Sequence, residues 1–356
     1  MAVLNEEQEM LRDMAREWAT NESPVTEFRK MRDSHPDERY LADAWSAMAG
    51  MGWAGIIVPE AYGGSDFGWM SVGLVVEELG KTLAASPLIA TTLAASAIVL
   101  GGSDEQKAKW LPALASGEKV GTLAIDEGAH HAPGKIATTV SGGKLSGTKA
   151  FVHEAHGADL FVVAAADGLY VVEKGDGVAL SRRELTDQRS HAQVTFDGAA
   201  AERLADGGDS LLDDVLDRAR ILTSCEMLGM AQQVFDVSLD YLKQRVQFNQ
   251  VLATFQALQH RMADLFADLA TMRSAVEAGL EALDSGFGVA RAAAIAKATA
   301  NDVLHRMSRE GIQLHGGIGM TDEYDVGFYL KRARVLEASW GSSSQMRDRF
   351  ASLSGY

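Results

Sequence analysis

The sequence predicts an α+β protein of three consecutive segments, the first helical, the second β and the third helical. Apolar residues recur three and four positions apart in the first and third segments, which is the period of an amphipathic helix. Between them, short runs rich in Val, Thr, Phe and Tyr alternate with glycine-containing pairs, as strands alternate with tight turns. We therefore expect three domains, at residues 1–118, 119–205 and 206–356.

The first segment is predicted to contain several helices separated by clear breaks. Pro59 and the pair Gly63-Gly64 predict a loop, and Ser103 before an acidic first turn predicts a helix start. The predicted helices span residues 6–19, 40–51, 69–83, 88–100 and 106–111.

The second segment is predicted to form an antiparallel sheet or barrel. Glycine pairs such as Gly142-Gly143 supply the positive φ angles that short hairpins need. The predicted strands span residues 120–125, 136–140, 149–152, 160–163, 169–172 and 193–196.

The third segment follows Gly207-Gly208 and returns to the helical period in long stretches. Long helices of this kind pack side by side, so we expect a four-helix bundle. The predicted helices span residues 211–247, 254–284, 290–311 and 325–335.

Composition limits the classes of function. The chain has 356 residues, of which 47% are hydrophobic and 23% charged, so it can bury a large core. Its net charge of −16 argues against nucleic-acid binding. Cys225 is the single cysteine, which excludes an intrachain disulfide and favours a reducing compartment. Residues 88–100 are too short to cross a membrane, and the acidic start is unlike a signal peptide, so we expect a cytoplasmic protein.

Several separated motifs resemble the acyl-CoA dehydrogenase family over essentially the whole chain. They are VPEAYGG at 58–64 with EELG at 77–80, QKAKWLPALASG at 106–117, GTK at 147–149 with AD at 158–159, RVQF at 245–248 with FQALQ at 255–259, and QLHGGIG at 313–319 with EY at 323–324. The resemblance implies the acyl-CoA dehydrogenase fold, FAD as cofactor, an acyl-CoA thioester as substrate, and assembly into tetramers.

The resemblance also implies residues that contact FAD across two subunits. A diphosphate requires fixed positive charge and closely approaching donors, which Arg245, Gln313, Gly316 and Gly317 are suited to supply. Two alternatives remain open, because the glycines can simply end a helix and Phe248, the fourth residue of RVQF, can be a core aromatic.

Further positions are carried over by resemblance alone. Asp126, Phe151 and His153 are expected beside the flavin, and an aspartate near its N1 and O2 atoms disfavours the anionic reduced form. Ser342 is expected in the last flavin-binding loop. Arg220 is expected beside the catalytic pocket, with a solvated helix charge as the alternative.

The catalytic base is missing from both positions where the family places it. In the resemblance, Trp340 replaces the usual glutamate and Ala219 occupies the second position. Tryptophan cannot accept a proton, and losing a positioned base costs about 10² to 10⁴ in rate. Glu226 and Glu337 are the nearby carboxylates, and Glu226 is a weak candidate base whose alternative role is a buried, arginine-paired carboxylate.

Four histidines raise a separate question. A metal site at His130, His131, His153 and His156 would need ligand spacing that the sequence lacks, so we interpret them as loop residues and expect no metal.

Two interpretations of function remain, with a binding protein on the same fold as a weaker third. One is an FAD-linked acyl-CoA dehydrogenase with an unconventional base, which could deliver electrons to an electron-transfer flavoprotein. The other is a catalytically incomplete subunit that supplies FAD contacts to a related, glutamate-bearing subunit in a heterotetramer of the type that degrades steroid side chains. The acyl chain, the electron acceptor and the choice between homo- and hetero-oligomer stay open.

Overall fold

The computed structural model describes residues 3–206, 208 and 210–356, so Gly207 of the predicted Gly207-Gly208 break lies outside the described residues. The chain divides into two compact units. The helical unit comprises Met1–Thr26, Gly73–Ala84 and Arg220–Tyr356, and the mixed unit comprises Glu27–Val72 and Ala85–Ala219, in each case for the described residues.

Two of the N-terminal helices begin at capping residues that the sequence supplies. Asn5 and Gln8 form a capping box at the first helix, and Ser103 and Gln106 form one at the sixth. One helix was not predicted, because it is short and buries only Phe28 and Met31. The helices are α1 (Glu6–Asn21), α2 (Val25–Ser34), α3 (Ala42–Gly50), α4 (Gly68–Lys81), α5 (Leu88–Gly101) and α6 (Asp104–Ala115).

The strands of the mixed unit form two four-stranded sheets. Of the predicted alternatives, a sheet or a barrel, the described strands therefore form sheets. The sheet orders are β1-β4-β5-β8 and β2-β3-β7-β6. The strands are β1 (Gly121–Ala124), β2 (Thr139–Ser141), β3 (Lys144–His153), β4 (Leu160–Ala165), β5 (Gly168–Glu173), β6 (Val178–Arg182), β7 (His191–Ala200) and β8 (Glu202–Arg203).

Three details of the predicted sheet were wrong. The β1–β4 pair is parallel rather than antiparallel, because β2 and β3, in the other sheet, form the crossover between them. β6 was missed, since none of its residues is fully buried. The strand expected at 136–140 begins only at Thr139, because the amides of Ala137 and Thr138 donate to the Glu127 carboxylate instead of to a neighbouring strand.

The C-terminal part contains the four predicted long helices, and a fifth helix packs against them. The first ends at Gln244 rather than 247, where a short hairpin begins, and the fifth was missed because it is short and buries only Met346. The elements are α7 (Leu211–Gln244), β9 (Val246–Gln247), β10 (Gln250–Val251), α8 (Gln256–Ser285), α9 (Val289–His315), α10 (Val326–Ala338) and α11 (Ser343–Leu353). Helix α9 packs against α8, α10 and α11. Among the described residues, no helix combines the length and apolar character needed to cross a bilayer.

Helices α4 and α7 cross at backbone contact within the helical unit. A Cβ atom at Gly229 would lie 1.9 Å from the carbonyl oxygen of Glu77, and one at Gly80 would lie 2.4 Å from that of Glu226. Arg273 on α8 also binds α4 near this crossing, by donating to Glu77 at 2.8 Å. The EELG motif therefore has a packing role, in which glycine permits the close approach and glutamate supplies an ion pair.

We predict that Gly229→Ala lowers the free energy of unfolding by about 3 kcal/mol, because the added methyl group overlaps backbone that cannot move aside. Urea unfolding measures this change. Gly327→Ala on α10 is the matched control, since nothing lies within 4 Å of its added Cβ and it should be neutral or slightly stabilising. Equal stability of both variants would contradict the packing role.

Candidate functional site

The turn between α10 and α11 holds Trp340 in an unusual backbone conformation. Its φ angle is +59°, in the left-handed region that costs a bulky residue about 1–3 kcal/mol. The indole is buried, and the Trp340 carbonyl accepts a hydrogen bond from Nε of Arg220 at 3.0 Å. Arg220 is itself only 2% exposed, so the alternative of a solvated helix charge is wrong.

The two carboxylates considered as bases are both ion-paired. Glu226 is buried and receives two bonds from Arg332, at 2.8 and 3.0 Å. Glu337 accepts from Arg334 at 2.6 Å and lies 3.0 Å from the His305 ring. This geometry matches the interpretation of Glu226 as a buried carboxylate paired with an arginine.

A buried lysine lies beside the same turn, and the sequence analysis did not predict a role for it. Lys297 has no exposed surface, and its Nζ donates to the carbonyl of Leu336 at 2.9 Å and to Oδ1 of Asn301 at 2.5 Å. Burial lowers the pKa of Lys297 to about 7. The signal was available, because a lysine and an asparagine four residues apart interrupt the alanine-rich, buried face of α9.

The hairpin after α7 presents an aromatic side chain outward. Phe248 and Asn249 have φ angles of +54° and +63°, which is the conformation of a two-residue type I′ turn. Phe248 is 84% exposed, so the alternative of a core aromatic is wrong. Arg245, at the base of the hairpin, is also exposed.

The glycine-rich turn at the end of α9 is open to solvent. Gly316 ends the helix with φ +63°, as the helix-ending alternative requires. Gly317 does not have a positive φ, and a Cβ built on it meets nothing within 4 Å. Packing within the chain therefore leaves this position free for close approach by a ligand. Gln313, one turn earlier, is exposed.

A three-ring cluster joins the hairpin end of α7 to this glycine turn. The hydroxyl of Tyr241 donates to the carbonyl of His315 at 3.3 Å, directly before Gly316. His315 Nδ1 donates to the carbonyl of Gly311 at 2.7 Å, so Nε2 accepts from Tyr324 at 3.1 Å. Burial lowers the pKa of His315 and favours this neutral form.

The structure thus brings Arg245 and the glycine turn to neighbouring helix ends. An exposed guanidinium, an exposed amide at Gln313 and a side-chain-free approach at Gly317 fit a diphosphate group such as that of FAD. The exposed ring of Phe248 adds an apolar surface for the rest of the cofactor. Ser342, the other expected cofactor contact in this unit, already has a structural role, because its hydroxyl caps α11 by accepting from the amide of Gln345.

The expected flavin neighbours in the mixed unit have internal partners. Asp126 lies 2.9 Å from Nδ1 of His131 and accepts from the Ala132 amide at 2.9 Å. The His153 ring contacts His191, with centroids 4.7 Å apart. Phe151 is partly exposed and has φ +50° at an irregularity of β3, a strained geometry typical of functional sites.

A buried ion pair supports the loop that carries Asp126. Lys149 is fully buried and donates to Glu127 at 2.8 Å and to the carbonyl of Ile125 at 2.9 Å. Burial of Glu127 acts to raise its pKa, but hydrogen bonds from Lys149, Thr138 and two backbone amides outweigh it and lower the pKa to about 2.

The histidines do not gather at one point. His131 pairs with Asp126 and His153 contacts His191, while His156 lies near Ser190. Within the part of the chain that the structure describes, no group of three His, Cys, Asp or Glu side chains could hold a metal ion.

Comparison with known proteins identifies this architecture. Family models match residues 5–118 (acyl-CoA dehydrogenase, N-terminal domain) and 206–353 (acyl-CoA dehydrogenase, C-terminal domain). The acyl-CoA dehydrogenase IpdE2 of Mycolicibacterium smegmatis is 30% identical over 331 residues, which cover 93% of each chain. The chain belongs to the acyl-CoA dehydrogenase family, whose members are FAD-dependent.

Two solved structures extend the comparison. The Tcur3481-Tcur3483 steroid ACAD has 31% identity and a TM-score of 0.90, covering 98% of this chain and 97% of that chain. A chain in a structure described as the electron transferring flavoprotein of Acidaminococcus fermentans has 28% identity and a TM-score of 0.91. The match covers 100% of this chain and 99% of that chain.

We predict that Arg332→Met destabilises the protein by about 3–5 kcal/mol, because it leaves the Glu226 carboxylate buried without its partner. The double variant Glu226→Leu/Arg332→Met should recover most of the loss, and urea unfolding compares the two. A double variant as unstable as the single one would show that the buried charge is not the cause.

We predict that Glu127→Gln flattens the acid-unfolding profile. The native pKa is lowered from 4.5 to about 2, so the stabilisation is present above pH 4.5 and is lost as the pH falls from 4.5 toward 2. At neutral pH, Glu127→Gln should lower the free energy of unfolding by about 1–3 kcal/mol. Glu118→Gln changes an exposed carboxylate, and its stability should follow the wild-type pH profile.

Proposed function

We propose that this chain is a subunit of an FAD-dependent acyl-CoA dehydrogenase that lacks its own catalytic base and contributes FAD contacts to a glutamate-bearing partner subunit. The observation that carries the proposal is the ion pairing of Glu226 and Glu337 beside a turn that presents tryptophan. Both carboxylates already bind arginine side chains, and an indole cannot accept the α proton.

The reaction needs a base for the α proton of the thioester. Bound FAD would supply the hydride acceptor for the β hydrogen. In the proposed assembly, Arg245, Gln313 and the open backbone at Gly317 would hold the diphosphate, while Phe248 would cover an apolar part of the cofactor. These groups lie on an exposed surface of the helical unit, which suits a cofactor shared with a second chain.

The relatives support a substrate class and candidate partners. The solved structure named for two components, Tcur3481-Tcur3483, is described as a steroid ACAD, so we propose a steroid-derived acyl-CoA thioester and a heterotetramer. The matched structure titled for an electron transferring flavoprotein supports a flavoprotein as electron acceptor. The net charge of −16 suits a basic docking patch on that acceptor.

The test compares the chain purified alone with the chain co-purified with a glutamate-bearing family member. We expect a flavin spectrum that acyl-CoA thioesters bleach only in the complex, and Arg245→Gln should lower the flavin content of the complex. An isolated chain whose flavin is bleached by thioesters would instead establish an independent oxidoreductase.

A second variant asks whether the site lacks only its base. In a flavin-loaded preparation, Trp340→Glu should allow acyl-CoA thioesters to bleach the flavin. Trp340→Gln introduces a side chain of the same shape as glutamate and should not, because only the carboxylate accepts a proton. Equal inactivity of both variants would show that more than the base has been lost.

A further inference from the structure

The turn at Trp340 is held through its backbone rather than through its side chain. Arg220 donates to the carbonyl of Trp340, and Asn301 Nδ2 donates to the carbonyl of Gly341 at 3.2 Å. One turn earlier, Lys297 donates to the carbonyl of Leu336. Three buried polar side chains thus bind three carbonyl groups between the last turn of α10 and the start of α11.

Lys297 and Asn301 work as a pair. The bond from Lys297 to Oδ1 of Asn301 sets the orientation of the amide, so that Nδ2 points at Gly341. Both residues lie on α9, one helical turn apart, so the rigid helix fixes the distance between the two carbonyl groups that they bind.

We propose that Lys297 and Asn301 are positioning residues, a clamp that holds the turn at residue 340 in its left-handed conformation and thereby sets where that residue's side chain points. A φ of +59° is unfavourable for tryptophan, so other contacts must maintain it. The significance of the clamp for catalysis rests on the proposed function, whereas its effect on the turn does not.

The charges around Lys297 determine how the clamp responds to pH. Burial disfavours the charged amine most strongly, Glu337 on α10 favours it and Arg220 on α7 disfavours it, so the pKa of Lys297 is about 7. A neutral amine has two N–H groups for its two acceptors, and the charged form adds a third that needs another acceptor. His305 on α9 binds Glu337 and is the other titratable group of this network.

The test is ¹⁹F NMR of the chain labelled with 5-fluorotryptophan, without flavin, substrate or partner. The six tryptophans give six resonances, and Trp340→Phe assigns the one of interest. We expect this resonance to shift with pH around a midpoint of about 7. In Lys297→Met it should be displaced and independent of pH, with the other five resonances unchanged.

Asn301→Asp separates the two parts of the clamp. The carboxylate still accepts from Lys297 but cannot donate to Gly341, so the Trp340 resonance should be displaced. The new negative charge favours the charged amine, so the midpoint should rise. This variant keeps the lysine and carries the test if Lys297→Met does not fold.

Two controls define the outcome. Ser308→Ala removes a buried hydroxyl from the same helix without touching the turn and should leave the Trp340 resonance in place. His305→Gln removes the imidazole that contacts Glu337 and should keep the midpoint. An unmoved resonance in both clamp variants, or a pH response that survives in Lys297→Met, would overturn the proposal. Because no flavin is present, either result leaves the test of the proposed function separate.

Discussion

The close packing of α9 is the constraint on which the helical unit depends. Its 27 residues pack against α8, α10 and α11, and small side chains such as Ala293, Ala296 and Ala300 permit that approach. A polar residue on such a buried face must find its partner inside the protein. Lys297 and Asn301 therefore bind the carbonyl groups of Leu336 and Gly341. The geometry at Trp340, between α10 and α11, thus follows from the burial of α9.

Local signals in the sequence predicted much of the fold. Ser103 before its acidic first turn and the long apolar periods placed most helices, because both depend on residues close together in the chain. Among the elements that were missed, α2, β6 and α11 bury few side chains. The parallel β1–β4 pair was also missed, since strand order depends on a crossover that no local pattern encodes.

Within the candidate site, exposed turn positions were predictable from local sequence. The family motifs pointed to Gly316 and Phe248, and both lie on exposed turns with positive φ. Roles that depend on distant partners were not predictable. Glu226 pairs with an arginine 106 residues later, and nothing in the sequence selects Arg332 over the other arginines. Arg220 shows the same limit, because its partner is a carbonyl group 120 residues away.

Backbone anchoring also explains how this chain can keep its fold while its chemistry changes. The contacts at residue 340 are made to carbonyl groups, which every amino acid carries, so they place little demand on the identity of the side chain. Glu226 is held in the opposite way, through its carboxylate. Replacing it leaves the guanidinium of Arg332 buried without its partner. Under the proposed function, the turn at residue 340 keeps its shape without a base at that position, whereas Glu226 serves packing rather than proton transfer.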